Sequence, residues 1–157
     1  MKVIQAIPDM PNTITETEVI NILESKINLQ IATIDEEGYP VIQPTWFLYE
    51  KGSGKIYTVT QKTTKKVQNI RKNPAKIYYS IDDVNFSYKG VKGRAIARIS
   101  EDIKKNLPIV EKIFVKYLGT IEHTLAKMII EQTKNGTEVV IEITPKFFSA
   151  WDFGKPV

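Results

Sequence analysis

The sequence predicts a mainly β (α+β) fold in which about six antiparallel strands close a small barrel with helices at its ends. Two observations favour this fold. Alternating apolar runs are separated by hairpin-scale turns, and the helical segments do not alternate with strands as they would in a parallel doubly wound sheet. The chain of 157 residues corresponds to a single domain. Residues 1–12, which include Pro8 and Pro11, are expected to form an extended N-terminal arm.

The first half of the chain predicts a helix followed by a β-meander. The helix is capped by Thr13 or Thr15 and runs to about Ser25, with acidic residues in its favourable first turn. Three strands follow, over residues 27–35, 40–50 and 55–60. Pro44 lies inside the second of them and cannot donate to a ladder, so we expect a bulge or an open edge there. Such an opening next to Trp46 would suit a ligand.

The second half predicts a short helix that stops before Pro74, two strands, two helices and a last strand. The short helix starts at Thr63 or Thr64, and an Asn-Gly turn at residues 135–136 precedes the last strand. Gly90 and Gly93 would permit bends in the long strand that contains them. These remaining elements are the helix to about residue 73, strands at 76–82 and 88–100, helices at 102–118 and 121–133, and a strand at 138–149.

The net charge of +4 comes from one segment. Six basic residues and no acidic one lie in residues 61–76, and outside it 16 basic residues face 18 acidic ones. These six are Lys62, Lys65, Lys66, Arg71, Lys72 and Lys76.

Composition excludes several kinds of site. Without cysteine the chain has no disulfide, thiolate metal site or cysteine nucleophile, and with one histidine it has no multi-histidine metal site. The N-terminus does not resemble a signal peptide, and no apolar run approaches the ~20 residues of a membrane span. We therefore expect a cytoplasmic protein without a membrane partner.

The start of the short helix combines hydroxyl groups with cations. Thr64, Lys65 and Lys66 would occupy its cap and first turn, where cations are unfavourable unless an anion is bound. Thr58 and Thr60, at the end of the preceding strand, would add hydroxyl donors. One interpretation is a phosphate pocket, with both lysines exposed when no ligand is bound. A solvated lysine-rich helix is the alternative.

Nucleic-acid binding is a further interpretation of the basic segment. Tyr57, Tyr78 and Tyr79 could stack on bases while the basic residues follow the nucleic-acid backbone. Because the rest of the chain is net acidic, any such footprint would be small. We predict no nucleic-acid partner.

An ordered set of short motifs spans most of the chain. It resembles the flavin-binding split β-barrels related to pyridoxamine 5′-phosphate oxidase. The motifs are G-x-P at 38–40, P-x-W-F at 44–47, Thr60, the hydroxyl-Lys-Lys run at 64–66, Asn69, N-P at 73–74, G-R-A at 93–95 and W-D-x-G-K at 151–155.

This resemblance implies a six-stranded antiparallel split β-barrel with flanking helices. It also implies a homodimer with FMN at the subunit interface, a small-molecule substrate, and hydride or electron transfer by the flavin. A deazaflavin-dependent reductase of the same fold, or a non-catalytic flavin- or haem-binding protein, are the alternatives. Residues 39–49 contain no Lys or Arg, and no Arg-x-His element lies near the C-terminus. Oxidation of pyridoxamine phosphate is therefore not expected.

The resemblance also implies which residues bind the cofactor. Thr60, Thr64, Lys65 and Lys66 would hold the phosphate, and Tyr88 or Lys89 would reach the flavin from the other subunit. The full set is Gln43, Pro44, Thr45, Trp46, Thr58, Val59, Thr60, Thr64, Lys65, Lys66, Tyr88, Lys89 and Trp151. No catalytic residue and no metal ligand is predicted.

Three side chains in other segments have simpler interpretations. Trp46 would serve equally well as a core or dimer-interface residue, and Trp151 as an anchor for the C-terminal tail. Lys116 receives no role.

Overall fold

The computed structural model describes residues 1–9 and 14–155, and this part of the chain contains four helices and nine strands. In chain order they are β1 Val3–Gln5, α1 Glu16–Glu24, β2 Leu29–Ile34, β3 Pro40–Thr45, β4 Leu48–Glu50, β5 Lys55–Gln61, α2 Lys65–Lys72, β6 Ile77–Asp83, β7 Lys89–Ser100, α3 Ile103–Leu118, α4 Thr124–Lys134, β8 Glu138–Pro145 and β9 Phe148–Asp152.

The strands form a mainly antiparallel sheet that closes into a split barrel. Its main path is β3-β2-β6-β7-β8-β5-β4, so β3 and β4 lie at opposite ends. Only Trp46 and Phe47 separate these two strands in the chain. Because two residues span only about 7 Å, the two ends of the path must meet here.

The prediction of one strand over residues 40–50 is therefore wrong. The chain leaves β3, which pairs with β2, and enters β4, which pairs with β5. Pro44 lies opposite Gln30 on the terminal strand of the path, where a missing ladder donor is tolerated. The expected opening beside Trp46 is present as this change of strand.

The prediction of one last strand over residues 138–149 is also wrong, and the strand count rises from about six to nine. Residues 138–145 pair with β5 and the C-terminal half of β7, whereas β9 pairs with the start of β7. Trp151 therefore belongs to a strand and not to a tail. Residues 3–5 of the N-terminal arm pair in parallel with β9, and residues 10–13 lie outside the described part.

Two apolar clusters stabilise the fold. One fills the barrel with side chains from α1 and the inner faces of the strands, among them Leu23, Ile31, Tyr79 and Ile143. The other lies between the outer side of β5 and β8 and the helices α3 and α4. This second cluster fixes α3 and α4 beside the Trp46–Phe47 connection.

Most helices begin where the sequence predicts. Thr15 caps α1 in a capping box with Glu18, while the alternative cap Thr13 lies outside the described residues. Asp102 caps α3, which continues through Pro108. The helix α4 begins at Thr124 and not at residue 121, because Nδ1 of His123 accepts the Leu125 N–H at 3.1 Å. No helix in the described ranges is long and apolar enough to cross a membrane.

Candidate functional site

The N-terminus of α2 is arranged differently from the other helix starts. Thr15, Asp102 and His123 cap α1, α3 and α4 through their side chains, whereas α2 has no side-chain cap among the described residues. Thr64 is its N-cap, and Lys65 and Lys66 are its first two residues, as predicted. The first N–H groups of a helix point outward and favour an anion when no side chain satisfies them.

Lys66 is buried beside this helix start. Its side chain is 7% exposed, so the expectation that both lysines are exposed without ligand is wrong for Lys66. Burial lowers the pKa of Lys66, and the buried Glu138 carboxylate partly opposes that shift. Burial in turn raises the pKa of Glu138. Within the described part of the chain the two form no salt bridge, so Glu138 acts on the ammonium only through its electrostatic field.

Lys65 is exposed and already has a partner. Its Nζ donates to Oε1 of Glu36 in the β2–β3 turn at 2.6 Å. This hydrogen bond lowers the pKa of Glu36. A carboxylate therefore lies close to the uncapped helix start, where the sequence predicts a phosphate.

The hydroxyl groups of β5 extend the same region. Oγ1 of Thr60 lies 3.4 Å from Oγ1 of Thr64, which also donates to the Gln61 carbonyl. Thr58 lies on the same face of β5, and its buried Oγ1 has no hydrogen-bond partner among the described residues. The Thr64 proton is thus used by the Gln61 carbonyl, and the Thr58 hydroxyl is buried, so these groups supply a polar surrounding near the start of α2 and no free donor in this arrangement.

A buried side-chain pair fixes α2 against the barrel. Nδ2 of Asn69 donates to Oγ1 of Thr33 on β2 at 3.0 Å, and both residues are buried. A hydrogen bond in such surroundings holds its partners strongly because water cannot replace it. This hydrogen bond therefore fixes the position of the helix that carries Lys66.

A second part of the site is an apolar groove of about 400 Å³ at the change of strand. Four predicted cofactor residues line it: Pro44, Thr45, Trp46 and Val59. The other lining residues are Asn28, Phe114, Leu125 and Ile129, which the sequence did not single out. The structure thus brings the end of β3 and the middle of β5 together with α3 and α4.

Trp46 forms a wall of this groove and packs on α3. Its ring stacks on Tyr117 with centroids 4.7 Å apart and meets the Phe114 ring edge-on at 6.0 Å. Trp46 is therefore a packing residue and a groove residue together, and the two interpretations of it are compatible.

Two consecutive residues of α3 hold the neighbouring Phe47 backbone. The Tyr117 hydroxyl accepts the Phe47 N–H at 3.3 Å and donates to the Ile27 carbonyl at 2.7 Å. Nζ of Lys116 donates to the Phe47 carbonyl at 3.0 Å and lies 3.6 Å from its ring centroid. No role for Lys116 was predicted from the sequence, because an amphipathic pattern does not reveal a contact with the distant connection between β3 and β4.

The remaining predicted residues lie elsewhere in the chain. Tyr88 and Trp151 line a separate depression of about 330 Å³ with Ser80, Lys92 and Phe153. Lys89 begins β7 beside it, opposite Asp152. This depression and the groove share no lining residue in the described part of the chain.

Gln43 lies half-buried on β3, opposite Ile31, and does not line the groove. One chain therefore does not bring all thirteen predicted residues together. The described residues also contain no group of side chains that could hold a metal ion.

The sequence profile of the pyridoxamine 5′-phosphate oxidase family matches residues 16–152. The chain belongs to this family. The match extends from the first residue of α1 to the last residue of β9, so it covers the uncapped helix, the groove and part of the Trp151 depression. The comparison with curated proteins found no match.

Solved structures share the fold. The conserved hypothetical protein Rv2991 from Mycobacterium tuberculosis is 22% identical, with a TM-score of 0.77 over 92% of this chain and 91% of that one. An F420 reductase is 22% identical, with a TM-score of 0.65 over 82% and 94%. The haem storage protein HutZ from Vibrio cholerae is 14% identical, with a TM-score of 0.63 over 83% and 89%. At these identities the likeness establishes the fold alone.

Proposed function

We propose that this protein binds FMN and acts as a flavin-dependent oxidoreductase on a small molecule. The observation that carries the proposal is the uncapped start of α2 with the buried, unpaired ammonium of Lys66 beside it. A buried cation without a salt-bridge partner is costly, and a bound phosphate would reduce the cost that the Glu138 charge leaves uncompensated. The chain also belongs to a family that is named after an oxidase of a phosphorylated substrate, and this supports a phosphate-binding site.

The residues present fit such a cofactor. Lys66, Lys65 and the first N–H groups of α2 would hold the phosphate, and the Thr60 and Thr64 hydroxyls would join them by rotating away from each other and from the Gln61 carbonyl. Residues 43–46 and Val59 would lie along the flavin ring. When bound, the flavin supplies the electron or hydride transfer, so the protein need not provide a nucleophile. The chain's own residues bind the cofactor, orient it and limit the access of water.

We infer a homodimer because the predicted cofactor residues lie at two separate places on one chain. Tyr88, Lys89 and Trp151 lie at a depression that shares no lining residue with the groove in the described part of the chain. A second copy would bring these residues to the flavin. The outer face of the sheet offers a surface for it, because Ile42, Ala32 and Tyr78 align across three strands, with Ile42 65% exposed and Tyr78 40% exposed.

A titration tests the phosphate assignment. FMN and riboflavin differ only in the phosphate, so we expect FMN to bind at least about a hundredfold more tightly, as two charge-assisted contacts would require. Lys66→Met should weaken FMN binding by about tenfold or more and leave riboflavin binding unchanged. The exposed Lys72→Ala, on the same helix, is the control and should retain the FMN affinity. Equal binding of FMN and riboflavin would contradict the proposal.

The deazaflavin F420 is the second candidate cofactor. The fold is shared with an F420 reductase, and the sequence resemblance includes deazaflavin-dependent reductases. The start of α2 would accept either cofactor. A side-by-side titration with FMN and F420 decides between them, and the tighter ligand should lose affinity in Lys66→Met.

A further inference from the structure

The groove at the change of strand has an uncharged lining. None of its eight lining residues in the described part of the chain carries a charge, and only Asn28 and Thr45 are polar. Trp46, Val59, Phe114, Leu125 and Ile129 supply an apolar surface. Pockets of this size and composition are typical of small-molecule sites.

One wall of the groove is formed by residues that are not among the proposed flavin contacts. The proposed flavin contacts come from β3 and β5, whereas α4 contributes Leu125 and Ile129, which have no assigned role. These two residues are four apart and therefore share a face of the helix. Leu125 is 39% exposed, so part of its side chain is accessible from the groove.

The side chains of Thr45 and Asn28 differ in their hydrogen bonding. The Thr45 hydroxyl donates to the Trp46 carbonyl at 3.1 Å, so its proton is already used. Asn28 is exposed and also lines a neighbouring depression, so its amide lies at the open side of the groove, where it can both donate and accept. One amide at the rim of an apolar groove can orient a single carbonyl or hydroxyl of a ligand.

We propose that this groove binds the second substrate of the flavin site, and that this substrate is an uncharged, largely apolar ring compound with one carbonyl or hydroxyl. The inference rests on the proposed function for the ligand's role as a substrate. The ligand class follows from the lining that the flavin ring would leave uncovered, which carries no charge: Asn28, Phe114, Leu125 and Ile129. A phosphorylated or carboxylated compound would have to lose water beside apolar side chains without gaining a counter-ion.

Two isosteric probes test the ligand class. 2-Acetylnaphthalene is neutral and carries one carbonyl, and 2-naphthoate has nearly the same shape with a negative charge. Isothermal titration of the FMN-loaded protein should show that 2-acetylnaphthalene binds at least about tenfold more tightly than 2-naphthoate. Equal or tighter binding of 2-naphthoate would overturn the proposal.

A matched pair of variants on α4 locates the binding site. Leu125→Glu places a carboxylate in the groove and should weaken 2-acetylnaphthalene binding by about tenfold or more. Met128→Glu adds the same charge at an exposed position that does not line the groove and should change the affinity less than about twofold. Both variants should retain the FMN affinity. An unchanged affinity for 2-acetylnaphthalene in Leu125→Glu would overturn the assignment.

The outcome is separable from that of the proposed function. FMN binding is measured first, and its absence would contradict the proposed function alone. The same two probes are then titrated against the flavin-free protein. A neutral-over-charged preference that Leu125→Glu removes would still support the ligand class of the groove, and its absence would overturn it.

Discussion

Gly90 on β7 lies directly against the indole of Trp151 on β9. The two residues are opposite each other in the ladder, and a Cβ built on Gly90 would overlap Cζ2 of Trp151. The same Cβ would lie 2.7 Å from the Ile81 carbonyl oxygen. The sequence suggests Gly90 as a bend, but its role in the structure is to let the indole pack flat on the strand.

Gly90→Ala should therefore destabilise the protein. The indole must move or the strands must separate, and such overpacking costs about 1–3 kcal/mol. Urea unfolding followed by circular dichroism gives the change in the free energy of unfolding. Gly52→Ala is the control, because a Cβ there meets no described atom within 4 Å, and its effect should stay within about 0.5 kcal/mol. Equal stability of both variants would show that Trp151 can relocate freely.

The ion pair between Lys65 and Glu36 predicts that the removal of the Glu36 charge increases the affinity for FMN. Glu36 occupies Lys65 and places a negative charge near the proposed phosphate site. Glu36→Gln removes this competition, and since exposed ion pairs contribute about 0.2–1 kcal/mol, FMN binding should become about two- to fivefold tighter. The measurement is the FMN dissociation constant at low ionic strength.

Glu37→Gln provides the matched control for that change. It removes the same charge one residue away, and Glu37 has no ion pair with a described residue. The FMN affinity should then change by less than in Glu36→Gln. Equal gains in the two variants would indicate a general charge effect and not a contact through Lys65.

The sequence predicted correctly that α2 begins after Thr64, whereas the phosphate site there stays a prediction. Two adjacent cations at a helix N-terminus oppose the helix dipole, and this local conflict is visible without a structure. The structure adds that Lys66 is buried and forms no salt bridge with a described residue, which favours an anion beside it. Burial depends on how α2 packs against β2 and β7, so no local pattern could have shown it.

The strand breaks could be predicted only in part. Pro44 signalled an interruption near Trp46, but periodicity alone continues smoothly to residue 50. The division of residues 138–152 into β8 and β9 depends on which half of β7 each pairs with. Groove residues such as Leu125 were missed because helical amphipathicity marks a buried face and gives no sign of a cavity beside it.

The Tyr117 hydroxyl predicts a measurable contribution to stability. It accepts the Phe47 N–H and donates to the Ile27 carbonyl, so Tyr117→Phe leaves two backbone groups without a partner. The expected loss in the free energy of unfolding is about 1–3 kcal/mol. Tyr39→Phe, at a side chain that is 65% exposed, is the control and should be nearly neutral. A neutral Tyr117→Phe would mean that water replaces the hydroxyl.

Lys116 predicts a dependence of stability on pH. Burial lowers its pKa from 10.5 to about 8 in the folded protein. Below pH 8 the side chain is charged in both states, so the folded state bears the full cost of burying the ammonium. Between pH 8 and 10.5 the unfolded chain holds the proton and the folded chain releases it, and stability therefore rises with pH.

Substitution isolates this contribution from those of other titrating groups. The stability of the wild type minus that of Lys116→Met should increase from pH 8 to pH 10.5, measured by urea unfolding at each pH. Lys112→Met, at an exposed position of α3, should follow the wild type. The Phe47 ring and carbonyl oppose the trend because both attract the charged form. A flat difference would mean that these two contacts offset the lost hydration completely, so that the pKa of Lys116 is the same in the folded and unfolded chains.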